Sequence, residues 1–263
     1  MTTAQMQPNL YTPPRSLMAK VKRRLTQWQT VAPMSRSPEC PVISFTFDDF
    51  PRSAAQHGAE ILSRHSAKGA YYTCTGFMDQ SGPGGPYFTL DDVEILTAEG
   101  HEIAAHTQTH LDCAKAAPET ALADINENLN ALEALALPGA IQHFAYPYGE
   151  TQLSLKSSLK NRFSTCRGIL PGVNRAGSDL MQLRAVELGN DAARIARAER
   201  MIEDVARSPG WLIFFTHDVQ SDATDYGVTP AVLEQLVRRA RDSGALLTTP
   251  SEALEQLSVE HAR

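Results

Sequence analysis

Two adjacent carboxylates, Asp48 and Asp49, close the apolar run Val42-Ile43-Ser44-Phe45-Thr46-Phe47, and two histidines, His106 and His110, follow a second apolar run at Ile103-Ala104-Ala105. A carboxylate and two imidazoles form a common open coordination set for a divalent metal, with positions left for water or substrate. If the chain turns helically after Ala105, the four-residue spacing puts both imidazoles on one face. Neighbouring residues at a strand end project in different directions, so one aspartate can hold an ion while the other faces a water on it. A bound ion lowers the pKa of its water toward about 7, and a nearby carboxylate can then take the proton as the water attacks a carbonyl. A leaving amine also needs a proton. His217, which closes Leu212-Ile213-Phe214-Phe215-Thr216, is the obvious donor.

Such residues must be brought together by the elements that carry them. From Pro41 onward, β-type runs alternate with helical patterns, the layout of parallel strands joined by crossover helices. Strands are predicted at 42–48, 69–75, 101–105, 141–146, 163–168, 182–188, 211–216 and 245–248. Helices are predicted near 53–65, 89–99, 118–136, 151–161, 191–208 and 229–242. Gly69, Gly100, Gly139, Gly210 and Gly244 each precede a strand, where helix C-caps belong. Pro118 and Pro230 suit first helical turns. The stretch Ser81-Gly82-Pro83-Gly84-Gly85-Pro86 reads as a turn-rich surface loop. In a parallel α/β sheet or barrel, functional groups gather at the carboxyl ends of the strands, where Asp48, Asp49, His106, His110, Tyr148 and His217 all fall.

A chain of 263 residues with 42% hydrophobic residues can build one large core. A net charge of −6 offers no footprint for nucleic acid. Cys40, Cys74, Cys113 and Cys166 are widely spaced and read as reduced thiols. No secretory leader and no run of roughly 18 apolar residues is visible, which favours a soluble cytoplasmic protein. Residues 1–40 form a proline-containing arm with six basic side chains against Glu39 alone, and 41–263 the catalytic domain. A short amphipathic helix over Ser16–Gln29 could rest on anionic lipid. The simpler reading packs the arm on its own domain or on a partner subunit.

Four segments taken in order carry a more specific signal: Thr46-Phe47-Asp48-Asp49, His106-Thr107-Gln108-Thr109-His110, Phe144-Ala145-Tyr146-Pro147-Tyr148-Gly149 and Ile213-Phe214-Phe215-Thr216-His217-Asp218. Together they resemble the successive motifs of the polysaccharide deacetylase family (NodB homology, carbohydrate esterase family 4), over about residues 41–255. The resemblance implies a distorted (β/α) barrel of about seven parallel strands and metal-dependent hydrolysis of an N-acyl group on an amino sugar. It also implies roles: Asp48 as general base, Asp49, His106 and His110 as metal ligands, His217 as general acid, Thr107 steadying the second motif, and the Tyr148 amide as oxyanion donor. Zinc fits the ligand types, and cobalt, nickel, manganese or iron could occupy the same site.

The chain departs from the family at Ala145, where many members have an arginine that supports the base aspartate. Arg184 and Arg167 are candidates to replace it, with Arg184 preferred, and Asp191 is a candidate partner for His217. The acidic group Asp218, Asp222 and Asp225 reads most simply as a solvated loop. Two alternatives accompany the deacetylase reading. One is a hydrolase of small amides, imides or ureides on the same fold; the other is a catalytically silent sugar-binding module.

Overall fold

The structure is a computed structural model that describes residues 24–258. Most of the predicted Ser16–Gln29 helix, including Leu17 and Val21, lies outside the described residues. Residues 24–28 are helical.

The core of the molecule is a curled sheet of parallel strands. In chain order these are β1 (Val42–Asp48), β2 (Gly69–Thr73), β5 (Glu102–Ala105), β6 (His143–Ala145), β7 (Thr165–Arg167), β8 (Val186–Glu187), β9 (Trp211–Thr216) and β10 (Leu246–Leu247). They lie in the order β7-β6-β5-β2-β1-β9-β8. β10 pairs with Val42 and Ile43, below the point where β2 begins to pair at Phe45. Helices α1 (Ala59–Arg64), α2 (Leu90–Ala98), α3 (Pro118–Ala134), α4 (Leu153–Leu159), α5 (Ala192–Arg207), α6 (Pro230–Asp242) and α7 (Pro250–Ser258) accompany the strands. The segment leading into β8 ties the two sheet edges together. Leu183 exchanges backbone hydrogen bonds with Cys166 and Gly168 on the β7 side, and Val186 then registers with Phe214 of β9. This is the distorted barrel of about seven parallel strands that the family resemblance implies.

Alternation along the strands sorts side chains into two layers. Ile43, Phe45, Phe47, Leu212 and Phe214 face the helices in the main core. Val42, Trp211, Ile213 and Phe215 face the barrel interior with Met34, Leu183 and Ala185, and Ala253 of α7 plugs its amino-terminal end. Ser44 and Thr46 also lie on the inner face, where Ser44 accepts from the Trp211 indole and Thr46 donates to the Phe214 carbonyl. Asp48 continues that inner row. Strands buried on both faces read as near-continuous apolar runs, which is why they were visible in the sequence.

The helices begin where their caps dictate. Thr89 and Asp92 form a reciprocal capping box on α2, and Thr229 caps α6 ahead of Pro230. Gly100 follows α2 with a positive φ of 83°, as a C-cap glycine should. Gly69 and Gly210 differ: neither has a positive φ, and each is needed for close approach. A Cβ would meet Leu62 at 2.7 Å in the first case and Val173 at 2.6 Å in the second. The 81–86 loop forms a two-stranded hairpin, β3 (Ser81–Gly82) with β4 (Gly85–Pro86).

The described part of the arm packs on its own chain. Its backbone pairs with residues 178–180 through Met34 to Ser178 and Leu180 to Ala32. Buried Lys156 donates to the Thr26 carbonyl and pairs with Asp179, whose carboxylate accepts from the Val31 and Ala32 amides. Leu25 and Trp28 remain exposed. No helix among the described residues is long and apolar enough to cross a membrane. The four cysteines are free thiols.

Candidate metal and hydrolytic site

At the carboxyl ends of β1 and β5 the backbone is held in an unfavourable conformation. Among the described residues, Asp49 (φ 60°), Phe50 (φ 58°), Thr107 (φ 65°), His110 (φ 57°) and Tyr148 (φ 60°) all have positive φ without being glycine. Each costs about 1–3 kcal/mol, and such residues persist only where their surroundings over-determine them. Here they converge three side chains. The Nε2 atoms of His106 and His110 lie 3.3 and 3.1 Å from Asp49 Oδ1. Asp49, His106 and His110 form a cluster whose ligand atoms all lie within 4.8 Å of one another.

The two histidines do not meet on a helix. Residues 106–110 form an irregular loop, and Thr107 and His110 in the left-handed region turn both rings inward. The loop is pinned from α3. Asp124 accepts from the Gln108 and Thr109 amides and from the Thr109 hydroxyl. Fully buried Asn128 accepts from the His106 amide and donates to the Thr73 carbonyl and the Thr75 hydroxyl. Thr107 Oγ1 accepts from the Leu111 amide. Asp124 and Asn128 were not singled out in the sequence. Asn128 carried a signal, being a polar residue on the buried stripe Ala121, Ile125 and Leu132 of a helix.

The electrostatics suit a cation. His106 Nδ1 lies 2.8 Å from the Ala145 carbonyl, an acceptor only, so Nδ1 donates there and Nε2 is the ring nitrogen left facing Asp49. Burial works to raise the Asp49 carboxyl, but the charge on His110, contact with both imidazoles and the charge on His217 outweigh it and hold Asp49 well below the usual carboxylate range. Burial opposes charge on His110 as well, and Asp49 overcomes it, raising that imidazole. Asp49 Oδ1 is nonetheless buried without a hydrogen-bond partner. An orphaned anionic oxygen facing two imidazole nitrogens fits a divalent ion.

Of the remaining predicted residues, Asp48, Tyr148 and His217 lie around this cluster. Asp48 is buried on the inner face of β1, where Arg167 Nη2 donates to its Oδ1. The preference for Arg184 is therefore corrected: that side chain is exposed and donates to the Pro171 carbonyl. The Tyr148 ring packs edge-on to His110, with centroids 4.6 Å apart. His217 Nε2 lies 3.9 Å from Asp49 Oδ2, while Nδ1 faces the Tyr226 carbonyl at 3.3 Å. Asp191 is not the residue that orients His217. It is exposed, caps α5 through the Ala193 and Arg194 amides, and pairs with Arg194. Asp218 is not solvated either. It is 1% exposed and accepts from the Thr224 amide and hydroxyl and from Gln220, organising the loop that carries Tyr226. A Cβ on Gly227 would meet Asp218 Oδ1 at 2.3 Å, so that position admits only glycine.

Known proteins share this fold. The profile of the family described as polysaccharide deacetylase matches residues 35–162, a stretch that contains Asp48, Asp49, His106, His110 and Tyr148. Among solved structures, the chain is similar to the Xyl-CE4 domain of a multidomain xylanase from the hindgut metagenome of Trinervitermes trinervoides (17% identity, TM-score 0.61, 84% of this chain and 93% of that one). It is also similar to the chitin deacetylase of Colletotrichum lindemuthianum (16%, 0.60, 86% and 92%). A third is a family 4 acetyl xylan esterase from Clostridium thermocellum, solved with a cobalt ion (18%, 0.57, 83% and 93%).

Proposed function

We propose, on the match of residues 35–162 to the polysaccharide deacetylase profile, that the protein is a divalent-metal-dependent hydrolase that removes the acetyl group from an N-acetylated sugar or glycoconjugate. The observation that carries this reading is the buried, unpartnered Asp49 Oδ1 between the Nε2 atoms of His106 and His110. Asp49, His106 and His110 would hold the ion, zinc by ligand type with cobalt, nickel, manganese or iron as other fitting occupants. When bound there, a divalent cation supplies Lewis-acid polarisation of the substrate carbonyl and acidifies water.

The chain's own residues supply the rest. Asp48, neighbour of a ligand but turned inward, accepts a proton from the attacking water. The Tyr148 amide, on a turn held in the left-handed region, donates to the oxygen that becomes negative. His217 gives a proton from Nε2 to the departing amine. Its Nδ1 donates to the Tyr226 carbonyl, which fixes the ring while Nε2 works. The buried apolar wall of Phe77, which packs on His110 with centroids 5.8 Å apart, limits water around the ligands.

The test is release of acetate from a panel of N-acetylated sugars and oligosaccharides, with cyclic imides and ureides alongside, using metal-stripped and metal-restored protein. Release that disappears with the metal and returns with it is expected. Undiminished release by the stripped protein would refute the reading, and ring opening of the imides or ureides with no acetate released from the sugars would move the substrate to small cyclic amides.

A further inference from the structure

The described end of the arm meets the catalytic turn at an open cavity of about 380 Å³, within the range of small-molecule sites, about 300–1,000 Å³. Its lining mixes the apolar side chains of Ile169, Leu170 and Pro171 with the polar ones of Gln27, Glu150 and Gln182. Two glycines let these segments approach. A Cβ on Gly168 would lie 3.1 Å from the Gly149 carbonyl oxygen, and one on Gly149 would lie 2.2 Å from Ile169. Gly149 also lines the cavity and directly follows Tyr148, whose amide faces the reacting carbonyl. Lys156 braces both polar walls. It donates to the carbonyl of buried Thr26, next to Gln27, and to Gln182 Oε1 at 3.1 Å. An ammonium only donates, so Gln182 spends its carbonyl there and keeps its NH2 for another partner. Ile169 and Leu170 are half-buried, and Trp28, the residue after Gln27, is 77% exposed.

We propose that this cavity is a second sugar subsite, completed by the N-terminal arm, which holds a neighbouring unit of an oligosaccharide while the N-acetylated unit lies at Asp49, His106 and His110. A pyranose ring has the matching split, with apolar C–H faces and an edge of hydroxyls that amide side chains can both donate to and accept from. A hydrocarbon tail would fit less well, because it would strip water from two amides and a carboxylate without replacing their hydrogen bonds. An anionic group would meet Glu150. The preferred substrate is therefore an uncharged oligosaccharide rather than a monosaccharide. The inference rests on the deacetylase reading of the adjoining site.

The test compares N-acetylglucosamine with its β-1,4-linked tetramer, on the full chain. Wild-type protein should release acetate from the tetramer with kcat/KM about tenfold or more above that for the monomer, as the second unit adds its own contacts. Gln27→Ala should raise KM for the tetramer about threefold to tenfold, the worth of one neutral hydrogen bond, and Gln27→Ala combined with Leu170→Ala should raise it further. For the monomer, kcat and KM should stay within about twofold of wild type in both variants, whereas a merely structural disturbance of the Tyr148 turn would lower kcat for both sugars. Calorimetry with Asp48→Asn as the background, to suppress turnover, should show the same weakening for the tetramer alone. If Gln27→Ala loosens the arm and lowers the melting temperature, Leu170→Ala by itself, outside the arm, must still weaken the tetramer selectively. A wild-type protein without preference for the tetramer, or variants that affect monomer and tetramer equally, would overturn the subsite. A wild-type protein that binds the tetramer and releases no acetate sinks the deacetylase reading instead, and the affinity of the cavity variants for the tetramer still decides the subsite.

Discussion

At the amino-terminal end of the barrel, His143, Glu102 and Ser251 form a histidine–carboxylate cluster as compact as Asp49, His106 and His110 at the carboxyl-terminal end. His143 Nε2 lies 3.2 Å from Glu102 Oε1 and 3.0 Å from Ser251 Oγ, and its Nδ1 lies 2.7 Å from Thr165 Oγ1. The Ser251 amide donates to the same carboxylate. Burial pushes the His143 imidazole down to about 4 and raises Glu102. Every polar atom there is met by a neighbour, so a neutral histidine closes the barrel floor beneath α7. At the other end one imidazole nitrogen is spent on a backbone carbonyl, the other is aimed inward, and the carboxylate oxygen between them has no partner. Both ends set imidazole against carboxylate. What separates a structural cluster from a ligand set is which lone pairs the surrounding chain leaves unmet.

The comparison is broken most severely at the ligands. His106→Ala should remove the bound ion and lower kcat/KM by about 1,000-fold or more, measured by elemental analysis and acetate release. The metal-dependent rise in melting temperature should vanish with it. Retained stoichiometric metal would mean that the cluster is as saturated as the one below. Asp48→Asn comes next: it should keep the ion and lose about 100- to 10,000-fold in kcat, the range for removing a general base. Loss of the ion in that variant would reverse the assignment of the two aspartates. His143→Gln should do the opposite of both. It should destabilise the fold by about 1–3 kcal/mol in denaturant unfolding, because buried hydroxyls lose their partner, while metal content and kcat stay at wild-type values.

Much of this contrast was legible in the sequence, and the reasons for the failures are physical. Parallel strands such as Val42–Asp48 and Trp211–Thr216 announce themselves as apolar runs, and Asp49 and His217 stand just past their ends. Helix α7 was not predicted, although Thr249 and Glu252 spell its capping box, with the Thr249 amide donating to the Glu252 carboxylate and the Glu252 amide to the Thr249 hydroxyl. The choice between Arg184 and Arg167 depended on strand register, which local pattern does not carry: Arg167 sits level with Ala145, whereas Arg184 points outward from the segment before β8. The helical expectation for His106 to His110 failed because Asp124 and Asn128, on α3, hold that loop in conformations no sequence window predicts. Asp218 looked solvated because it stands in an acidic group with Asp222 and Asp225, yet the amides and hydroxyl that satisfy it come from its own loop.

A smaller effect separates the two ends by pH. His101, just ahead of β5, accepts at Nδ1 from the Gly69 amide at 2.9 Å, and Glu99 lies 3.8 Å from its Nε2. Burial, with help from the charge of Lys68, lowers this imidazole from its ordinary 6.5 to about 4. The folded state therefore binds fewer protons here than the unfolded state between pH 6.5 and about 4, so stability rises with pH across that window and is lost as pH falls. From pH 6.5 to 5.5 this one group should remove about 1 kcal/mol, measured by denaturant unfolding at the two pH values. His101→Asn keeps an acceptor near the Nδ1 position and cannot titrate. It should abolish that share of the acid loss while leaving stability at pH 8 within about 1 kcal/mol of wild type. An unchanged pH slope in the variant would assign the acid sensitivity to His143 at the barrel floor, whose two ring nitrogens are both met by neighbours.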